Sequence, residues 1–216
     1  EVFLNTSESS LTFAPQAVQK NVTVSSNVEW EAISSADWLA LSKPEATTLS
    51  LNASENTTAG TRTATITLRR VGTTRALATI SVVQSEAGVT GSTEEVTFEV
   101  DGGTKSVDIE ADVAWSTRTS ATSWLTVTPT SGTGGKASLG ITALANNSTA
   151  ARSGYVYVNI GTTQKLAIPV SQEGISFDVT GTLENFAAGG SDEQKLTVES
   201  NSTWSVLSCP EWLTVT

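Results

Sequence analysis

The sequence predicts an all-β fold, a row of tandem Ig-like β-sandwich domains with the third copy truncated, on three observations. Its six Trp fall into three pairs: Trp30 and Trp38, Trp115 and Trp124, Trp204 and Trp212. Apolar residues alternate with Thr, Ser or charge along one short segment after another, the period of a half-buried strand. Hydrophobic residues make up only 38% of the chain, and β-branched types dominate them, which suits many short strands with one wet face.

The pairs belong to a longer repeat, and a repeat of this length defines the modules. The first members of the pairs lie 85 and 89 residues apart. Phe13, Phe98 and Phe186 precede them by 17, 17 and 18 residues, and Asn27, Asp112 and Asn201 by three. Val22/Val24, Val107/Ile109 and Leu196/Val198 alternate just before. After the second Trp come Leu39 to Ser42, Leu125 to Thr128 and Leu213 to Thr216. The first two copies run on through Asn56 and Asn146 to Arg62 and Arg152, and close on Val82-Val83-Gln84 and Val170-Ser171-Gln172.

These matches predict modules at 1–86 and 87–173, and the first half of a third at 174–216, whose second half of about 44 residues is expected to be missing. Few residues separate the closing Gln from the next unit, so the array is expected to be semi-rigid. About seven short strands in under ninety residues is the Ig-like pattern. Glycine pairs such as Gly102-Gly103 and Gly189-Gly190 mark turns. Pro169 lacks the N–H an interior strand would need, which predicts that the closing strand lies at a sheet edge.

Composition narrows the function. The formal charge is −10 with a pI near 4.4, and an acidic chain repels phosphate backbones and anionic lipid, so no nucleic-acid partner is expected. No apolar run reaches the roughly 18 residues of a membrane span, and no signal peptide is seen. The chain contains no Met, so a mature product or internal fragment is expected. Cys209 is alone, which leaves no disulfide within the chain.

The repeated frame resembles the BACON family (Bacteroidetes-associated carbohydrate-binding, often N-terminal). The residues that carry the resemblance are Ser26 to Trp30, Asp37-Trp38-Leu39, Asn56 with Arg62, and Val82-Val83-Gln84. They recur as Asp112 to Trp115, Trp124-Leu125, Asn146 with Arg152, and Val170-Ser171-Gln172; Asn201 to Trp204 and Trp212-Leu213 repeat the first half. The resemblance implies Ig-like sandwiches in extracellular or cell-surface proteins of gut-type bacteria, attached to glycan-degrading enzymes or adhesins. Polysaccharide or mucin glycans and the neighbouring domains of a longer protein are the partners it suggests.

No catalytic residues are expected. Without a single His the chain cannot build a Ser-His-Asp or Cys-His pair, and the usual zinc sites lose their commonest ligand. A glycosidase needs two carboxylates across a cleft, and the copies share no acidic position that could supply them. No metal and no cofactor are expected either. Asp108, Glu110 and Asp112 line one strand face, but Thr23, Ser25 and Asn27 replace them in the first copy, which favours a solvated acidic face over a calcium site. The recurring Trp pairs, each followed by Leu, read as sandwich core. Asn-x-Ser/Thr triplets at Asn5, Asn21, Asn52, Asn56, Asn146, Asn147 and Asn201 suggest a polar, exposed surface.

One aromatic feature falls outside the core pattern. Aligned on Arg62 and Arg152, Ala64 to Leu68 matches Gly154 to Val158, so Val156 and Val158 face inward. Tyr155 and Tyr157, the only two Tyr, therefore stand on the outer face where the first copy has Thr. They are the candidate ligand-binding residues, with ring faces about 7 Å apart at strand rise. The expected function is a non-catalytic extracellular module for glycan interaction or adhesion. The alternative is a passive spacer that holds a neighbouring domain away from the envelope, and accessory domains of a glycoside hydrolase are a third reading.

Overall fold

The computed structural model describes residues 1–58, 60–190 and 193–216. In the first module, β1 (Leu4–Thr6), β3 (Val18–Ser26), β5 (Leu39–Glu45) and β6 (Thr48–Ala53) form a sheet in the order β1-β3-β6-β5. Facing it, β2 (Ser10–Phe13), β4 (Trp30–Ser34), β7 (Arg62–Arg70) and β8 (Ala76–Gln84) run in the order β2-β8-β7-β4. In Ig lettering this is A-B-E-D against C-F-G, with the first strand split between the sheets. Its first part, β1, pairs antiparallel with β3, and its second part, β2, pairs parallel with β8.

The second module repeats the plan. β9 (Val89–Gly91), β11 (Gly103–Ala111), β13 (Leu125–Thr128) and β15 (Gly135–Ala143) give the order β13-β15-β11-β9. β10 (Val96–Phe98), β12 (Trp115–Thr119), β14 (Ser131–Gly132), β16 (Arg152–Ile160) and β17 (Thr163–Gln172) give β10-β17-β16-β12-β14. Beyond it, β18 (Phe177–Thr180) and β19 (Thr197–Ser200) make a two-stranded antiparallel pair.

Alternation decides which side chains meet. Ile66, Leu68 and Ile80 in one module, and Val156, Val158 and Ile168 in the other, are fully buried. Each such side chain contributes about 1.5–3 kcal/mol by leaving water. One core draws on residues from Leu4 to Val82, the other on residues from Phe98 to Val170. Trp30 and Trp115 sit in these cores at 4% exposure. Each indole N–H is satisfied by a backbone carbonyl of the turn laid over it, Ala46 O and Thr133 O, both at 2.9 Å. The second turn must carry Gly132, because a Cβ there would stand 2.5 Å from the Trp115 ring.

Three expectations change. The closing strand β17 is not an edge strand: β10 pairs with it from Val170 to Gln172. Pro169 is tolerated because its partner Tyr155 spends both backbone groups on Ser120, donating its N–H to Oγ at 2.8 Å and accepting from the Ser120 N–H at 2.9 Å. The Pro169 nitrogen therefore points away from β16, just short of where β10 begins, and no ladder bond is lost. Two of the Asn triplets are not on the surface, since Asn56 and Asn146 are buried. The third Trp pair is not core: Trp204 and Trp212 are 52% and 72% exposed. Trp204 meets Phe177 and Trp212 meets Phe186 edge-on, and among the described residues one strand pair, with no second sheet over it, follows Gly174.

Candidate functional site

The recurring polar residues build structure. Gln84, fully buried, donates from Nε2 to Ala14 O and Ser54 O at 3.0 Å, and its Oε1 accepts from Arg62 Nε at 2.8 Å. Gln172 repeats this with Glu99 O, Leu144 O and Arg152 Nε at 3.0, 2.9 and 2.9 Å. Each Arg then lies 4.5 Å over the second Trp of its module, Trp38 or Trp124. Trp38 is half-buried under Arg62, whose pKa desolvation by burial pushes down from its ordinary value. A guanidinium remains charged through such a shift. The cluster closes one end of each sandwich with its buried polar groups paired, as buried polar groups must be.

A second recurring set holds the linkers. Asn56 Nδ2 donates to Ser85 O at 2.8 Å, and Asn146 Nδ2 to Glu173 O at 2.8 Å. Three residues on, the following module takes hold. Gly88 N donates to Asp112 Oδ2 and Ser176 N donates to Asn201 Oδ1, each at 2.8 Å. Asn27 accepts from Phe3 N in the same way at 3.0 Å. At this position Asp can stand in for Asn as the acceptor, the role all three copies share. The Asn201 amide also donates to Gly174 O at 3.0 Å, which a carboxylate cannot do, and Asp112 instead takes a long 3.5 Å bond from Gln16 of the first module. Between the two grips, Ala87, Val113 and Ile160 form a small fully buried cluster, and Lys165 pairs with Glu86 at 3.5 Å.

What remains is the outer face of the β10-β17-β16-β12-β14 sheet. Tyr155 and Tyr157 both stand there, Tyr155 at 46% exposure and Tyr157 half-buried. Their rings do not lie open side by side. The centroids are 5.8 Å apart and the planes 14° from parallel, an offset stack. Arg118 lies directly across from Tyr157 on β12 and places its guanidinium 4.0 Å from that ring's centroid. Its Nη2 donates to Gln164 Oε1 at 3.3 Å. Guanidinium, ring and ring thus form one row, with Tyr155 the most open member. Sequence reasoning missed Arg118, although lining up the two copies from Trp30 and Trp115 sets it against Ile33.

Asp108 and Glu110 are exposed on the opposite sheet, whereas Asp112 holds the linker. Among the described residues no group of three His, Cys, Asp or Glu side chains could hold a metal ion. No helix of the described chain is long and apolar enough to cross a membrane.

Two sandwiches of Ig strand order, joined by gripped linkers, make this a tandem Ig-like β-sandwich array. Residues 28–85 match the family model of the BACON domain, described as "Putative binding domain, N-terminal", and residues 80–175 match that of the viral BACON domain. Both modules thus carry matches to BACON-type family models. No curated protein sequence matches it.

Among solved structures, 40% of the chain aligns with 19% of a Bacteroides ovatus GH5 xyloglucanase in complex with a XXXG heptasaccharide, at 25% identity and a TM-score of 0.37. Cadherin domains 3–6 of protocadherin gamma B2 align over 88% of this chain and 55% of theirs, at 10% identity and a TM-score of 0.35. The titin I-band fragment I67–I69 aligns over 79% and 65%, at 6% identity and 0.34. The chain thus spans about a fifth of the xyloglucanase and about half of the protocadherin fragment.

Proposed function

We propose that this tandem is a non-catalytic module that binds glycan at the bacterial cell surface, through the row Arg118–Tyr157–Tyr155. The observation that carries the reading is the row itself: an exposed aromatic face, braced from one side and fixed on a central strand. Aromatic rings of Tyr combine an apolar face with a hydroxyl, which suits the mixed surface of a sugar. Rigid support lowers the ordering cost of binding. The recurring residues are occupied in cores, end locks and linkers, so a ligand site belongs where the copies differ, and the row is such a place.

Affinity gel electrophoresis over a panel of polysaccharides and mucin glycans tests it. Wild type is expected to be retarded by at least one glycan, and the double variant Tyr155→Thr/Tyr157→Thr to migrate as in a gel without glycan. Failure of wild type to be retarded by any member sinks the binding reading.

The linker geometry favours a second reading, a spacer that positions a neighbouring domain. Both linkers are gripped at each end, and Gly161 of the second module sits where a Cβ would lie 2.5 Å from Thr57 O of the first. Small-angle scattering on residues 1–173 is expected to report one module-to-module distance. A broad distribution of distances would remove the spacer reading.

A further inference from the structure

We infer that the row selects a carboxylated sugar, of the hexuronate kind, over a neutral one. This inference rests on the glycan reading above and adds the ligand's charge to it. Arg118 is exposed and carries a guanidinium. The Tyr157 ring at 4.0 Å and the Gln164 oxygen at 3.3 Å hold it from two sides. A guanidinium has five N–H donors in a planar fork that matches a carboxylate, and here one nitrogen is engaged. Among the described residues no carboxylate forms an ion pair with Arg118.

The surroundings are as informative as the residue. Strand positions around the row include Ser116, Ser153, Asn159, Gln164, Ala167 and Ser171, none of them acidic, and the carboxylate of Glu86 is paired with Lys165 at 3.5 Å. That is notable in a chain with 22 acidic residues, of which Asp108 and Glu110 stand on the outer face of the opposite sheet. At physiological salt, charges are screened beyond about 8 Å, so the local balance outweighs the net −10.

The first module supplies an internal control. On its equivalent face a guanidinium, Arg69, is neutralised by Glu31 across the strand pair at 2.8 Å. In the second module these two positions are Asn159 and Ser116. One face pairs its cation internally, and the other leaves it for something that arrives from outside.

The test uses the full chain in affinity gels containing polygalacturonate or the same polymer highly methyl-esterified, which keeps the sugar backbone and removes its charge. Wild type is expected to bind the free acid more tightly, by about fivefold for one exposed ion pair per site, and less so as salt rises. Arg118→Gln should abolish that preference with the melting temperature unchanged. Ser116→Glu, which places the Glu31 carboxylate of the first module two residues from Arg118, should weaken it. Equal retardation by both polymers, or a preference that survives Arg118→Gln, overturns the inference while the glycan reading stands. Retardation by neutral glycans alone does the same, and no retardation by any glycan overturns both.

Discussion

In the first module the central strands turn Ile33, Thr65 and Thr67 outward; in the second the same three positions hold Arg118, Tyr155 and Tyr157, with Ile33 opposite Thr67 and Arg118 opposite Tyr157. A few ångströms inward nothing comparable changes. Ile66 and Leu68 answer to Val156 and Val158, Gln84 to Gln172, Asn56 to Asn146, and every pair has the same burial and the same kind of partner. The difference shows what the repeat constrains. A buried side chain must fill one volume, and a buried amide must reach one set of carbonyls, so those positions recur. An outward strand position has no such demand and is free to acquire a ligand.

The third copy extends the comparison. It shares the linker grip, through Asn201, but among the described residues its strands form one pair. A lone strand pair is marginally stable in water. Amide exchange should therefore be at least about a thousandfold faster in β18 and β19 than in β16, at the centre of its sheet. Equal protection in both, read by mass spectrometry or NMR, would show that the third copy is a folded equal of the others.

Next in size is the core. Trp115→Ala and Trp30→Ala should each lower stability by about 3–5 kcal/mol, and by similar amounts. Denaturant unfolding of each module measures the two losses. A variant that keeps its midpoint would break the equivalence of the two cores.

The end lock comes third. Gln172→Leu leaves the Arg152 Nε–H without its partner and takes one of two donors from the carbonyls of Glu99 and Leu144, which keep Gly102 N and Arg152 Nη2, at a cost of about 1–3 kcal/mol. Gln84→Leu should cost the same in the first module. Calorimetry that finds either change neutral would mean that water replaces the amide.

Smallest is the effect of carrying the outer face of the first module into the second. Tyr155→Thr/Tyr157→Thr should shift stability by no more than about 0.5 kcal/mol, since the pair is outside the core. A larger loss in thermal melts would make the stacked rings structural and weaken their claim as a ligand surface.

Much of this was legible in the chain itself. Period-two alternation placed Val156 and Val158 inside and Tyr155 and Tyr157 outside, because side-chain direction along a strand is a local property. The recurrence of Trp, Asn, Arg and Gln announced two modules built alike, because equal packing problems have equal solutions. What could not be read locally was how distant residues meet. The guanidinium on Tyr157, the 5.8 Å ring stack, the amide that ties Gln172 to Glu99, and Asp112 on the backbone of Gly88 all join residues far apart in sequence. The tolerance of Pro169 inside a sheet depends likewise on which way Tyr155 turns its backbone. Strand order and cross-strand register decide these contacts, and register is settled only when the two sheets close over a common core.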